Sequence, residues 1–277
     1  MYYNYQGYPY PIMRKAAFLC VLSVSFIHPS QAQNAPGKID LSDPNMVFVG
    51  ESVIPIPLEI FASLDKLGQQ DWGQEIASRS IELDTNRSRT AMLFGLVVSE
   101  GFIAVQAKDK EAVKASGREV LRLAGSLGVA ASVEGHANSI INAAGRGDWN
   151  TVRTELDRTR QTVLDQMKDL RDEELVDLVS LGGWLGGTEA LAAVLKKNYS
   201  VEGSDLLNQL DLVKQLKKDF NGLPKRSKRG KLFSQVSKTL DHLESLMQSD
   251  SSGAISEGKV IEISLATSNL VNAIYES

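Results

Sequence analysis

After Pro57 the apolar residues of this chain recur at intervals of three and four, the spacing that lines one face of an α-helix. Two stretches show it most plainly. Val152, Leu156, Thr159, Val163, Met167 and Leu170 step in this way, and so do Phe233, Val236, Leu240, Leu243 and Met247. Read along the chain, the pattern predicts helices near 57–67, 72–84, 87–107, 109–126, 129–145, 149–170, 173–197, 203–221, 229–248 and 256–275. Breaks fall at Gly68, Gly145 to Gly147, Asn198 to Ser200, Asn221 to Pro224 and Asp250 to Gly253, where glycine, proline and small polar residues cluster. Asp71 before Trp72, with Gln74 three residues on, resembles a capping box, and Asp148 before Trp149 reads as an N-cap. The expected fold is all-α: a multi-helix bundle of antiparallel helical hairpins, about ten helices, after a short extended N-terminal arm.

The arm is read from proline. Pro36, Pro44, Pro55 and Pro57 are half of the 8 prolines in the chain, so 33–56 is expected to be extended, with one short strand at Met46-Val47-Phe48-Val49. Residues 57–277 then form the helical domain, either whole or as a core bundle over 57–200 with a C-terminal helical hairpin and last helix over 201–277. Ahead of the arm, Arg14 and Lys15 precede the apolar run Ala16 to Ile27, followed by Ser30 and Ala32 at A-x-A spacing. That order is the order of a secretory signal peptide, and the run is short of the roughly 20 residues a membrane span needs. Residues 1–32 are therefore expected to be cleaved, with Met13 an alternative start.

Cleavage would change the chemistry. Cys20, the only cysteine, would leave, and with it any disulfide, thiol nucleophile or thiolate ligand. Arg14 and Lys15 would also leave while no acid does, which takes the net charge from −4 to −6. A mildly acidic, cysteine-free mature chain points to a secreted or periplasmic protein of a bacterial envelope. It argues against nucleic acid as a partner, and no transmembrane helix is expected in the mature chain.

Two segments do not fit an ordinary amphipathic pattern. Leu93 to Val105 and Leu181 to Leu195 are apolar on nearly every face, and each carries one glutamate, Glu100 and Glu189. A carboxylate buried in such a helix is costly unless it is paired, hydrogen-bonded or protonated. Gly182, Gly183, Gly186 and Gly187 form two overlapping G-x-x-x-G spacings, a smooth strip that lets another backbone come close. On the plain reading the glutamates sit at the helix margins, paired with Arg118, Arg122 or Lys196. The sharper reading is a polar pocket between helices, formed by Glu100 and Glu189 with Ser99, Thr188 and His136, that takes a cation or a small polar ligand. Glu134-x-His136 has the wrong spacing for a carboxylate-bridged metal bundle, and His-Glu-x-x-His is absent, so neither a metal nor another cofactor is expected. There is also no G-x-S-x-G and no dinucleotide loop, and only His136 and His242 follow the leader, so nothing supports an enzyme.

Two further features stand apart. Gly68-Gln69-Gln70-Asp71-Trp72 is echoed by Gly145-Arg146-Gly147-Asp148-Trp149, with Glu100 lying 28 residues after the first tryptophan and Glu189 lying 40 after the second. An old duplication would need an inserted turn to account for that difference. Around Pro224, Lys214, Lys217, Lys218, Lys225, Arg226, Lys228, Arg229 and Lys231 face one acid, Asp219. The patch is either a solvated hairpin tip whose cations complement a helix C-terminus or a surface for an anionic envelope lipid or acidic protein. Two function classes follow. The first is a non-catalytic binding or scaffold protein, and the alternative is a ligand- or metal-handling bundle built on Glu100 and Glu189.

Overall fold

A computed structural model describes residues 47–49, 52–54, 64–76, 79–83, 85–170, 172–248 and 254–277. Eight helices of 13 to 25 residues carry the fold among them. They are α1 (Arg87–Gln106), α2 (Lys110–Leu127), α3 (Ala130–Arg146), α4 (Trp149–Leu170), α5 (Glu173–Lys197), α6 (Leu210–Gly222), α7 (Lys231–Leu246) and α8 (Glu257–Glu276). Each of α2, α3 and α4 packs on the helix before it. The turns between them are set by local chemistry. Asp109 Oδ1 accepts from the backbone N–H of Glu111 and Ala112 at 3.0 Å each, and Asp148 Oδ1 accepts from Thr151 N–H at 3.1 Å, the cap its sequence position implied. Gly128 and Gly147 end α2 and α3 at φ +85° and +76°, a conformation that side chains disfavour.

At the centre α1 lies against α5, and the reason is size. A methyl group on Gly95 would sit inside the carbonyl oxygen of Val179, one on Gly182 inside that of Met92, and one on Gly186 inside the Ser99 hydroxyl. Gly95 and Ser99 on α1 thus answer Gly182 and Gly186 on α5, each pair four residues apart, so two smooth strips meet. Of the second strip on α5 only Gly183 takes part, since nothing lies within 4 Å of a carbon added at Gly187. The close pairs Met92 with Gly182, Gly95 with Gly183 and Ser99 with Gly186 advance together, so the two helices run parallel. Both helices are long and apolar enough to cross a membrane, yet 78% and 61% of their apolar windows are buried in the protein itself. Helix α8 covers α5 and part of α1, and α6 and α7 extend the same core. A smaller apolar cluster of Ala104, Val105, Val113, Ile140, Ala143, Ala144 and Val152 lies where α1 to α4 meet.

Arg89, 1% exposed, fixes the end of the bundle. Its Nε donates to Ile274 O at 2.8 Å, its Nη2 to Tyr275 O at 2.7 Å and its Nη1 to Glu82 O at 2.8 Å. The guanidinium thereby satisfies carbonyls that the last turn of α8 would leave unpaired, at the helix end where positive charge is favoured.

Three sequence expectations need correction. The helix expected over 72–84 is a single 3₁₀ turn, Trp72–Glu75, and described residues beyond it are not helical. Ile76 and Ile81, which pack on the core, are five residues apart and cannot share a helical face. Asp71 is not a capping residue; its side chain accepts from the Gln74 amide instead of from the backbone. The helix expected over 203–221 is divided into a turn at Val201–Ser204, a 3₁₀ turn at Asp205–Leu207 and α6. Gln209, at the division, accepts from the Trp184 indole at 2.7 Å and donates to Leu206 O at 2.6 Å. The short strand read at 46–49 is one arm of an antiparallel ribbon, Val47–Val49 with Ser52–Ile54, beside α5 and α6. Most of the helix read over 57–67, and the rest of the arm and leader, lie outside the described residues.

The Asp-Trp echo is not a structural repeat. Trp72 opens a four-residue turn and Trp149 a 22-residue helix, and the left-handed glycine stands three residues before Asp71 but one before Asp148.

The α1–α5 contact yields a paired expectation. Gly95→Ala and Gly182→Ala should each destabilise by about 1–3 kcal/mol through overpacking. Gly187→Ala should stabilise by up to about 1 kcal/mol, since it only removes a mid-helix glycine. Urea denaturation of the three variants checks this, and equal effects at all three positions would refute the backbone contact.

Candidate functional site

Parallel packing brings the two anomalous glutamates together. Counted from Gly95 and Gly183, Glu100 lies five residues on and Glu189 six, rises of about 7.5 and about 9 Å along their helices. The carboxylates leave α1 and α5 at nearly one level, and Arg79 stands between them. Its Nη2 donates to Glu189 Oε1 at 2.7 Å and its Nη1 to Oε2 at 3.2 Å, a two-pronged grip, while Nη1 is 3.6 Å from Glu100 Oε1. Glu100 takes its short hydrogen bond from elsewhere: the Tyr275 hydroxyl on α8 donates to Oε1 at 2.8 Å. Arg79 also lies over the Tyr275 ring, 5.2 Å from its centroid. The four residues come from four separate parts of the chain.

The pairing is uneven. The side chains of Arg79 and Glu100 are 21% exposed and that of Glu189 is 16% exposed. One guanidinium serves two acids and grips Glu189. Burial therefore dominates at Glu100 and raises its pKa above the ordinary 4.5, against the opposing effects of the Tyr275 hydrogen bond and Arg79. Burial, then the neighbouring Glu100 charge, raises the Tyr275 phenol, which keeps it a donor.

Beside the cluster lies a cavity of about 230 Å³, bounded by these three charged side chains, Leu96, Ile103, Gln74 and the hydroxyls of Ser264 and Ser268 on α8. Chemically the site offers acceptor oxygens, hydroxyls and a carboxyl that releases its proton above the usual range, which suits a small polar or cationic guest.

The remaining expected members are elsewhere. Ser99, 7% exposed, donates to Leu96 O at 2.7 Å and faces Gly186, so it belongs to the helix contact. Thr188, 2% exposed, does not line the cavity. His136 is on α3, where its Nδ1 lies 3.2 Å from Glu155 and its Nε2 is 2.9 Å from the Thr162 hydroxyl. Burial raises the Glu155 pKa, but the His136 and Arg158 hydrogen bonds outweigh it and hold that carboxyl below its ordinary value. The expected partners are corrected too: neither Arg118, Arg122 nor Lys196 holds the pair, and Arg122 is bound to Glu119. Among the described residues no group of three or more acidic, histidine or cysteine side chains is placed to hold a metal.

The basic patch is largely occupied from within. Lys217 pairs with Asp241 at 2.6 Å and Glu244 at 2.8 Å, and Arg226 with Glu174 at 2.5 Å. Lys228 donates to Phe220 O at 3.0 Å and Asn221 O at 2.5 Å, at the C-terminus of α6. Lys218, Lys225 and Arg229 are exposed.

Three residues that the sequence did not flag build this end of the molecule. Arg79 lay in a stretch read as helix, Arg89 in the polar flank of α1, and Tyr275 in the last apolar face. No family model, no curated protein and no solved structure matches the chain.

The raised Glu100 pKa has a consequence for stability. Folded Glu100 holds its proton to higher pH than the unfolded chain does, so it makes stability fall as pH rises through the range just above 4.5, and level off beyond it. Glu100→Gln should remove that fall while leaving the rest of the pH profile in place. Chemical denaturation between pH 4 and 8 measures it, and a parallel profile in the variant would count against a proton held at Glu100.

Proposed function

We infer that this is a non-catalytic helical protein of the binding or scaffold class, exported to a bacterial periplasm or beyond. Its full chain would complete a bundle of about ten helices arranged as antiparallel hairpins. The observation that carries the reading is that the glutamate pair has its partners within the chain. Glu189 is gripped at two points by Arg79 and Glu100 by Tyr275, so the polar groups at the heart of the bundle bond chiefly to one another. Such a cluster acts as a lock that fixes the segment around Arg79 and the last helix onto α1 and α5. Export rests on the order of basic pair, short apolar run and small residues at the N-terminus. The exposed cations Lys225 and Arg229 are the part of the basic patch that an anionic envelope surface or acidic protein would meet.

A second reading keeps the pair functional. The cavity of about 230 Å³ beside Glu100 and Glu189 would hold a small polar or cationic ligand between α1, α5 and α8.

Two measurements test these readings. Mass spectrometry of the exported form should give an N-terminus at Gln33, and a terminus upstream of residue 20 would overturn export by this leader. As a lock, Glu189→Gln should destabilise the ligand-free protein by about 1–3 kcal/mol, because it strips the Arg79 guanidinium of its two-pronged partner. A variant that melts like the wild type alone, but loses a thermal shift given to the wild type by putrescine or a divalent cation, would favour the second reading.

A further inference from the structure

A second, larger cavity lies away from the glutamates. This cleft, of about 770 Å³, is walled by both of the Asp-Trp turns that the sequence echoes, with the end of α1 between them. Its volume is in the range of ordinary ligand sites, but its lining is mostly polar. We propose that the cleft between the Trp72 and Trp149 turns binds a neutral oligosaccharide.

The chemistry selects the ligand. The charged side chains of the lining are Asp65, Asp148, Lys108 and Arg153, two of each sign, so no net field draws an ion. Asp65 and Arg153 hold each other at 3.0 Å, and Gln106 bridges them, donating to Asp65 at 2.8 Å and accepting from Arg153 at 3.2 Å. The hydrogen bond from Arg153 is the largest influence keeping Asp65 below its ordinary pKa, so its carboxyl stays ionised. The side-chain amides of Gln69 and Asn150 are exposed and have no partner among the described residues. An amide both donates and accepts, as a sugar hydroxyl does, so each matches a group that a purely anionic or cationic ligand lacks.

Of the two indoles, Trp72 is 3% exposed with its N–H sealed from solvent, which leaves Trp149 as the stacking surface. Trp149 is half-buried, packed on the small apolar cluster and open to the cleft. The apolar C–H face of a pyranose fits such a ring while its hydroxyls reach the rim. Lys108 stands on that rim at φ +55°, the one non-glycine residue with positive φ among the described residues. That conformation closes α1 as Gly128 and Gly147 close α2 and α3, with the Asp109 N–H donating to Ala104 O at 2.9 Å, so the helix end sets where Lys108 stands.

The proposal rests on the binding half of the function inferred above and not on export or on the glutamate lock. An array of neutral, sialylated and sulfated oligosaccharides, probed with the full chain, tests it. Neutral glycans should bind, and Trp149→Ala should weaken binding at least tenfold. The double variant Gln69→Ala with Asn150→Ala, at exposed positions outside any core, should also lose binding while keeping the wild-type melting temperature. Trp184→Phe, distant from the cleft lining, should bind as the wild type does. No bound glycan, binding confined to the acidic glycans, or binding that survives both cleft variants would overturn the proposal. Any of those results would leave the lock and its stability effects standing.

Discussion

The close approach of α1 and α5 is the constraint from which the rest of the structure follows. Backbone meets backbone at Gly95 and Gly182, and no residue with a side chain could occupy either place without moving a main-chain carbonyl. Several mid-helix glycines cost roughly 1 kcal/mol each in helix propensity, so the contact has to return that through dispersion over two nearly wholly apolar faces. It also fixes the register. Because the helices are parallel and locked at one level, the side chains beyond the contact are positioned in pairs, and Glu100 and Glu189 are the pair that carries charge. Shifting either helix by a turn would separate them by about 5.4 Å and leave Arg79 able to serve only one.

Two arginines then close the structure over that contact, and they do it differently. Arg89 binds neutral carbonyls at the end of α8, 185 and 186 residues away in sequence, where the helix dipole favours a cation and no desolvated anion is involved. Arg79 binds anions, and its geometry favours one over the other. The first arrangement stabilises with little penalty, whereas the second leaves Glu100 with a burial cost that its partners only partly offset. Both draw the segment around 79–83 and the final helix onto α1, Arg89 at its first turn and Arg79 at Glu100 in its second half. The last helix thus depends on contacts that span 175 to 186 residues of chain, whose closure costs more entropy than that of a local hairpin.

Helix positions were legible because period is a local property. The starts and ends of α1 to α5, and of α7 and α8, fall within about two residues of those read from spacing, the usual disagreement at frayed ends. The carboxylates were legible as an anomaly, since an acid in an apolar helix needs a partner somewhere. Their partner was not, because Arg79 sits between Ser78 and Ser80 with no pattern to mark it, and only tertiary folding brings it 110 residues along to Glu189. The expected grouping of His136 with the pair failed for the same reason: sequence shows that a histidine lies in a core helix but not which neighbour it faces. The stretch 72–84 was misread because a few apolar residues mimic a helical face while the true spacing of the core contacts, Ile76 and Ile81, is five.

The distribution of satisfied and unsatisfied polar groups separates structure from recognition. At the centre, Arg79, Glu100, Glu189 and Tyr275 bond mainly to one another, and Arg89 spends its donors on carbonyls. Side chains engaged in this way resist substitution because each removal strands a buried partner. On the basic patch the same holds in part, since Lys217, Arg226 and Lys228 are already bound within the chain. At the cleft, by contrast, the hydrogen-bonded Asp65, Gln106 and Arg153 lie with the exposed amides of Gln69 and Asn150, which have no partner among the described residues, beside a half-buried indole. Uncommitted groups at an exposed edge cost the fold little and leave hydrogen-bonding capacity for a ligand, which is the physical ground for proposing recognition at the cleft and a structural role for the glutamate pair.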